Sequence, residues 1–199
     1  MQTGLNGGVF SGIETVFLDR DGVINEKMPE GKYVSSLGDF RILPGAVEAI
    51  ARLHRAGIRV IVVSNQRGIA LGYYSDADVR AIHEELQKKA QQAGGHVDAF
   101  YFCPHDKNEC DCRKPKVGMF ETAKREFPSI RADRSVIVGD SLSDMEFGAA
   151  TGMGTIFIQG SQHTQKPGAD KAAMAAQRAC NSLAEAVDLI LPDRQAVSA

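Results

Sequence analysis

The chain has 199 residues, 43% of them hydrophobic and 24% charged, which suits one sizeable core and is close to the globular average. Its formal net charge of −2 supplies no basic field for nucleic acid or a membrane surface. No apolar stretch approaches the ~20 residues needed to cross a bilayer, and the glycine-rich start has no basic-plus-apolar leader pattern, so a flexible N-terminus over residues 1–12 and a cytoplasmic protein are expected.

In chain order, Thr15-Val16-Phe17-Leu18 reads as a buried strand that ends in Asp19-Arg20-Asp21-Gly22. Ala46 to Arg55 places Val47, Ile50 and Leu53 at helical spacing, follows Pro44-Gly45 and stops at Gly57. Ile58 to Val63 is a second strand, leading into Ser64-Asn65. Ser75 with Asp78 makes a capping box, after which Val79, Ile82, Leu86 and Ala90 form the apolar stripe of a helix ending near Gly94-Gly95. Ala99 to Phe102 is a third strand, Met119 to Phe127 a helix closed by Pro128, Ser135 to Val138 a fourth strand, and Gly154 to Ile158 a fifth. Beyond Gly160 come a polar linker from Ser161 to Gly168, an alanine-rich helical piece, and a last helix from Ser182 to Leu191. Strands alternating with helices predict a three-layer, parallel α/β sheet in one domain over residues 13–192, with a flexible tail over 193–199.

Asp19, Ser64-Asn65, Cys103 and Gly139-Asp140 each fall just past the end of a predicted strand. They therefore share one edge of the sheet, the edge at which open parallel sheets bind ligands. Asp-x-Asp-Gly alone also fits an acidic turn or the start of a calcium loop. Combined with the other strand ends, it fits a carboxylate pair in which one member is the nucleophile and the other moves protons. Asp19 is ionised at neutral pH and needs no activating base, but its charge repels an anionic phosphoryl group. Lys114 supplies one screening charge, and a Mg²⁺ held by Asp19, Asp140 and the main chain at Asp21 supplies two more. Ser64 and neighbouring backbone N–H groups would hold the phosphate oxygens. Asp21 would protonate the leaving oxygen and later deprotonate the attacking water, while Asp144, one turn into the helix after Asp140, would orient the waters of the metal.

Of the four cysteines, Cys103, Cys110 and Cys112 crowd together with His105. Four ligands of this kind match a structural zinc with no open coordination position, pinning the loop that carries Arg113 and Lys114. Free thiols and a disulfide are the other readings of the cluster. Cys180 is assigned to core or to a helix surface, and His54, His83, His96 and His163 to packing or solvent exposure. Glu84-Glu85 and Lys88-Lys89 form a solvated helix face with i,i+4 pairing.

With Asp19-x-Asp21, Ser64, Lys114 and Gly139-Asp140-Ser141-Leu142-Ser143-Asp144 in this order, the chain resembles the haloacid dehalogenase (HAD) superfamily of phosphatases. Cys103-Pro104-His105 followed by Cys110-Asp111-Cys112-Arg113-Lys114-Pro115 resembles its zinc-containing subgroup, the bacterial heptose bisphosphate phosphatases and the related histidinol phosphatases. The likeness runs from about Val16 to Ile158. It implies the HAD fold, a Mg²⁺-dependent phosphomonoesterase working through an aspartyl-phosphate on Asp19, a structural Zn²⁺, a small phosphorylated sugar as partner, and a monomer. Asp19, Asp21, Ser64, Lys114 and Asp140 are then the catalytic set, and Asn65, Gln66, Arg67 and Arg113 the substrate contacts, with Lys32 or Tyr33 able to brush the substrate. No long insertion follows Asp21 or Ser64, so a capless enzyme is expected. The heptose subgroup usually has a small residue after the Gln and an Arg before the final Gly of the second motif. Here Gln66 is followed by Arg67, and Leu71 precedes Gly72, so the basic residue has moved. Heptose 1,7-bisphosphate is the expected substrate, with loss of its 7-phosphate, and histidinol phosphate the alternative within the class. A polynucleotide 3′-phosphatase and a zinc module without activity are the readings from other classes.

Overall fold

The computed structural model describes residues 9–29, 31–160 and 168–191. Six strands, β1 (Thr15–Leu18), β2 (Arg59–Asn65), β3 (Ala99–Cys103), β4 (Ser135–Gly139), β5 (Gly154–Ile158) and β6 (Arg178–Cys180), form one sheet in the order β3-β2-β1-β4-β5-β6. All five pairings are parallel. Six helices connect or follow them: α1 (Ala46–Arg55), α2 (Asp76–Gln92), α3 (Gly118–Glu126), α4 (Leu142–Thr151), α5 (Ala169–Ala175) and α6 (Leu183–Ile190).

The side-chain alternation of the strands sorts the helices into two layers. Val16, Leu18, Val60, Val62, Val136 and Val138 pack against α1, α2 and α6 through Ile50, Leu53, Ile82, Leu86 and Val187. The intervening Phe17, Ile61, Val63 and Ile137 meet Met119, Phe120 and Phe147 of α3 and α4. Phe157 extends this second layer to Ala172 of α5. Covering both faces buries every residue of β1 and β4, which is why those strands appear in the sequence as unbroken apolar runs.

Helix starts are chemically marked where they matter for the site. Ser75 caps α2 reciprocally with Asp78. Ser141 does the same for α4 through its main-chain N–H and hydroxyl, both donating to Asp144 Oδ2 at 3.1 and 2.5 Å. Asp144 is thereby locked at the first turn, at the carboxyl edge of the sheet. Among the described residues no separate domain is inserted after Asp21 or Ser64, and no helix is long and apolar enough to cross a membrane.

Two sequence expectations need correction. The alanine-rich piece after Gly168 is not one helix: α5 ends at Ala175, Ala176 is extended, and Arg178–Cys180 pairs with Ile156–Ile158. The open edge of β5 offers backbone donors and acceptors, and their pairing outweighs the helix preference of alanine. Cys180 thus lies at the end of an edge strand, 8% exposed. Phe10, expected to be flexible, is 3% exposed in the first core cluster, so packing begins before the expected boundary at residue 13. Most of the expected polar linker, residues 161–167, and the expected tail over 193–199 lie outside the described residues.

Candidate active site

Register builds the centre. Leu18 lies opposite both Val62 and Val138, so β1 and β4 end within one residue of each other while β2 runs on beyond them to Asn65. Asp19 extends from β1 with its N–H on Val138 O at 2.9 Å, Ser64 stands near the end of β2, and Asp140 follows Gly139. Gly22 has φ +94°, and a Cβ there would lie 2.2 Å from Asp140 Oδ2, so the turn after Asp21 can pass this carboxylate only as glycine.

Lys114 comes from the loop after β3 and enters with its ammonium group buried. Its Nζ lies 3.1 Å from Asp19 Oδ1, 2.6 Å from Asp144 Oδ1 and 2.7 Å from Val63 O. Burial pushes the lysine pKa down, but the two carboxylates more than offset it and hold it above the usual value, so the group stays charged. Asn65 fixes the backbone of this residue, accepting from Lys114 N–H and donating to Lys114 O, both at 3.0 Å.

Asp21 points elsewhere. Arg20, whose side chain is fully buried, approaches Asp21 Oδ2 at 2.9 Å, Asn25 donates to Oδ1 at 2.9 Å, and Gln66 donates to Oδ2 at 3.0 Å. Burial raises the proton affinity of this carboxyl, yet the Arg20 charge and the three sets of donors together hold its pKa below the usual carboxylate value.

An open cleft of about 720 Å³ covers this edge. Its lining carries the cationic side chains of Lys27, Lys32, Arg67, Lys107, Arg113 and Lys114 around Asp19, Asp21 and Asp140. Lys27 is ion-paired with Asp140. Arg67 is held by Asp106, to whose Oδ2 its Nη2 donates at 3.1 Å, and that hydrogen-bonded guanidinium draws the Asp106 pKa down to about 2. Arg113 reaches the cleft with its Nη1 buried and without a hydrogen-bond partner among the described residues.

Two groups of side chains have donor atoms within 4.8 Å of one another and could each hold a metal ion. The first is Asp19, Asp140 and Asp144, an all-oxygen set suited to a hard cation, and the ammonium of Lys27 is already drawn to it at Asp140. The carboxylate of Asp21 is not in this set. The second is Cys103, His105, Cys110 and Cys112. Cys103 Sγ lies 3.4 Å from Cys110 Sγ and 3.7 Å from His105 Nδ1, and Cys112 Sγ lies 3.2 Å from Cys110 Sγ and 3.3 Å from His105 Nδ1. Thiolates about 2.3 Å from a tetrahedral ion stand a little under 4 Å apart, so the spacing and the soft donors fit a closed four-ligand site. No disulfide joins these cysteines.

The structure therefore gathers Asp19, Asp21, Ser64, Arg67, Arg113, Lys114 and Asp140 around one cleft. Asn65 and Gln66 also line it, with their side chains hydrogen-bonded within the protein, Asn65 to Lys114 and Gln66 to four polar partners. Sequence reasoning passed over Arg20, Lys27, Tyr74 and Lys107. Arg20 had a signal, since it separates the two aspartates, whereas nothing local marks the other three. His83 is a packing residue as expected, stacked on Phe100 with ring centroids 4.7 Å apart.

A parallel sheet with an aspartate at the end of its central strand, faced by a buried lysine and a second acidic strand end, defines a phosphatase of the haloacid dehalogenase-like class, a phosphoric monoester hydrolase. The HAD-hydrolase-like family model matches residues 111–186. Over 182 residues the chain is 37% identical to the D-glycero-beta-D-manno-heptose-1,7-bisphosphate 7-phosphatase of Photorhabdus laumondii, an alignment covering 87% of this chain and 93% of that one. It is 42% identical over 132 residues to the corresponding alpha-anomer enzyme of Mycobacterium bovis, covering 66% of this chain and 69% of the relative. The crystal structure of D,D-heptose 1,7-bisphosphate phosphatase from B. bronchiseptica, complexed with magnesium and phosphate, is similar with a TM-score of 0.79 and 33% identity, over 91% of this chain and 99% of that one. The chain belongs to the D-glycero-manno-heptose-1,7-bisphosphate 7-phosphatase family.

Proposed function

We propose that this protein removes the 7-phosphate of a D-glycero-D-manno-heptose 1,7-bisphosphate. Asp19 attacks phosphorus, the bond from phosphorus to the sugar oxygen breaks, and Asp21 gives that oxygen its proton. Water then attacks the aspartyl-phosphate, Asp21 takes a proton from it, and inorganic phosphate leaves with Asp19 restored. Before substrate arrives, Arg20 and its neighbours favour an ionised Asp21, and the negative phosphoryl group raises its proton affinity on binding. Lys114 and Ser64 hold the phosphoryl oxygens. A Mg²⁺ held by Asp19, Asp140 and Asp144, with the Asp21 main chain nearby, would neutralise the charge that gathers there. A Zn²⁺ at Cys103, His105, Cys110 and Cys112 would hold the Arg113-Lys114 loop in place.

The observation that carries the choice of substrate is Arg113. Arg113 lines a cleft rich in lysine and arginine, and its Nη1 has no hydrogen-bond partner among the described residues, so its guanidinium suits the hydroxyls and second phosphate of a bisphosphate. A cationic substrate such as histidinol phosphate gains nothing from it. The relatives named for the alpha and the beta anomer match almost equally, so the test includes both. Phosphate release with Mg²⁺ is measured from both anomers, histidinol phosphate and a 3′-phosphorylated oligonucleotide, with Asp19→Asn as control. The expected result is Asp19-dependent release that is fastest from one heptose anomer. Turnover of histidinol phosphate alone would overturn the substrate and keep the chemistry.

A further inference from the structure

Gln66 is a cross-brace between the two halves of the site. Its Nε2 donates one hydrogen to Asp21 Oδ2 at 3.0 Å and the other to Ser64 Oγ at 2.6 Å. Its Oε1 accepts from the Tyr74 hydroxyl at 2.8 Å and from Arg20 Nη2 at 3.3 Å. All four hydrogen-bonding positions of the amide are occupied. The direction of each bond has chemical content. Because Ser64 accepts from Gln66, its own proton is left to donate to a phosphoryl oxygen. Because Asp21 accepts from Gln66, its Oδ2 is held on the side of the strand end that carries Ser64. Rotating the amide by half a turn would put Oε1 against the Asp21 carboxylate.

Tyr74 helps set that orientation. It lies in the segment between β2 and α2, only 9% exposed, with its ring against Gly68, where a Cβ would fall 2.1 Å from the ring. Burial pushes the phenol pKa up to about 12, so the hydroxyl remains a donor throughout the working range. We propose that Tyr74 is a positioning residue for phosphoryl transfer: through Gln66 it holds the Asp21 carboxyl at the leaving oxygen and aims the Ser64 proton at the phosphate. This role rests on Asp21 being the proton donor of the reaction proposed above.

The test compares two leaving groups. An alkyl phosphate expels an alkoxide that must be protonated as it departs, whereas p-nitrophenyl phosphate expels a stable phenolate that needs little help. The ratio kcat/KM reports the first irreversible step, transfer to Asp19. It is measured with Mg²⁺ on the full chain, for the best alkyl phosphate of the panel and for p-nitrophenyl phosphate. In Tyr74→Phe, which keeps the ring packed on Gly68, the alkyl phosphate value should fall about tenfold, the worth of one hydrogen bond to a charged network. The loss should be in kcat, with KM changed less than about twofold, and p-nitrophenyl phosphate should lose no more than about threefold. Gln66→Glu, which sets an acceptor against Asp21, should deepen the loss to about a hundredfold with the same bias. Equal losses on the two substrates, or alkyl phosphate activity within twofold of wild type in Tyr74→Phe, would overturn the positioning role. Asp19→Asn is assayed alongside: if it still turns over, the phosphoenzyme reading itself fails, and if it is inactive while Tyr74→Phe is unchanged, only the positioning role fails.

Discussion

The carboxylate centre and the cysteine loop are both clusters of ionisable side chains, yet they are assembled in opposite ways. Asp19, Lys114 and Asp144 arrive from three distant parts of the chain and meet because β1 and β4 end within a residue of each other and the loop after β3 returns to the same sheet edge. Cys103 ends β3, His105, Cys110 and Cys112 lie in the loop that follows it, and the four meet because that loop curls back on the strand end. The first cluster sits on the fully buried ends of the sheet, with the Lys114 and Asp144 side chains at 1% and 0% exposure. In the second only Cys103 is fully buried, Cys110 and Cys112 are half-buried against the second core cluster, and His105 is exposed. A buried ionic centre is thus held by the fold, whereas a metal bound in a local thiol loop would itself help to hold that loop.

The sharpest way to break this contrast is to remove the cation that joins the two buried carboxylates. Lys114→Met should reduce phosphate release to background, and by taking away the buried ammonium that faces the carboxylates of Asp19 and Asp144 it should lower stability by about 3–5 kcal/mol at neutral pH. Urea unfolding and activity measured together decide it. Wild-type stability in this variant would show that the charges are not coupled as the geometry indicates.

Stripping metal from the cysteine loop should have a smaller and more local effect. A thiol-competing chelator, followed by restored Mg²⁺, should lower activity by about ten- to a hundredfold, because the loop leads directly into Arg113 and Lys114. Hydrogen exchange should rise around residues 103–117 and stay slow in β1 and β4. Loss of protection throughout the sheet would mean that the loop is not a separate unit and would dissolve the distinction.

His83 is the converse case, a buried base on which the like charge of Arg20 outweighs the carboxylate of Asp21. Burial, and then the nearby Arg20 charge, push its pKa down to about 3 from an ordinary 6.5, and its Nε2 has no hydrogen-bond partner among the described residues. The unfolded chain binds this proton below about pH 6.5 while the folded protein does not, so stability is complete above that pH and falls as pH drops toward 3. The slope is at most about 1.4 kcal/mol per pH unit from this group. His83→Phe, which keeps the stack on Phe100, should flatten the stability curve between pH 6.5 and 4 and leave it almost unchanged at pH 8. An unaltered slope would mean that His83 is not the group that titrates.

Much of this was legible along the chain because burial writes itself into local pattern. β1, β2, β4 and β5 are recognisable as apolar runs since both faces of the sheet are covered, and Asp19, Ser64 and Asp140 follow from those runs as residues near strand ends on one edge. The thiol cluster was legible from spacing alone, because all four side chains lie within ten residues of one another, at the end of β3 and in the loop after it. β6 was not, because Arg178-Ala179-Cys180 carries no strand pattern of its own and pairs only because β5 leaves an open edge.

Residue types and their places along the strands were therefore determined by the sequence: two aspartates where the first strand ends, a third after the fourth strand, a lysine beside four soft metal-ligand side chains, and a parallel sheet to collect them. Only the tertiary structure decided who bonds to whom. Lys114 lies between Asp19 and Asp144, Asp21 turns from the carboxylate set to Arg20 and Gln66, and Tyr74 reaches the site at all, because side-chain partners separated by tens of residues are selected by packing, charge pairing and the need to satisfy every buried donor. Hydrophobic period records which face is buried. It contains no term for the direction of a hydrogen bond across the sheet edge, which is set only when Gln66 meets Asp21, Ser64 and Tyr74 in the folded protein.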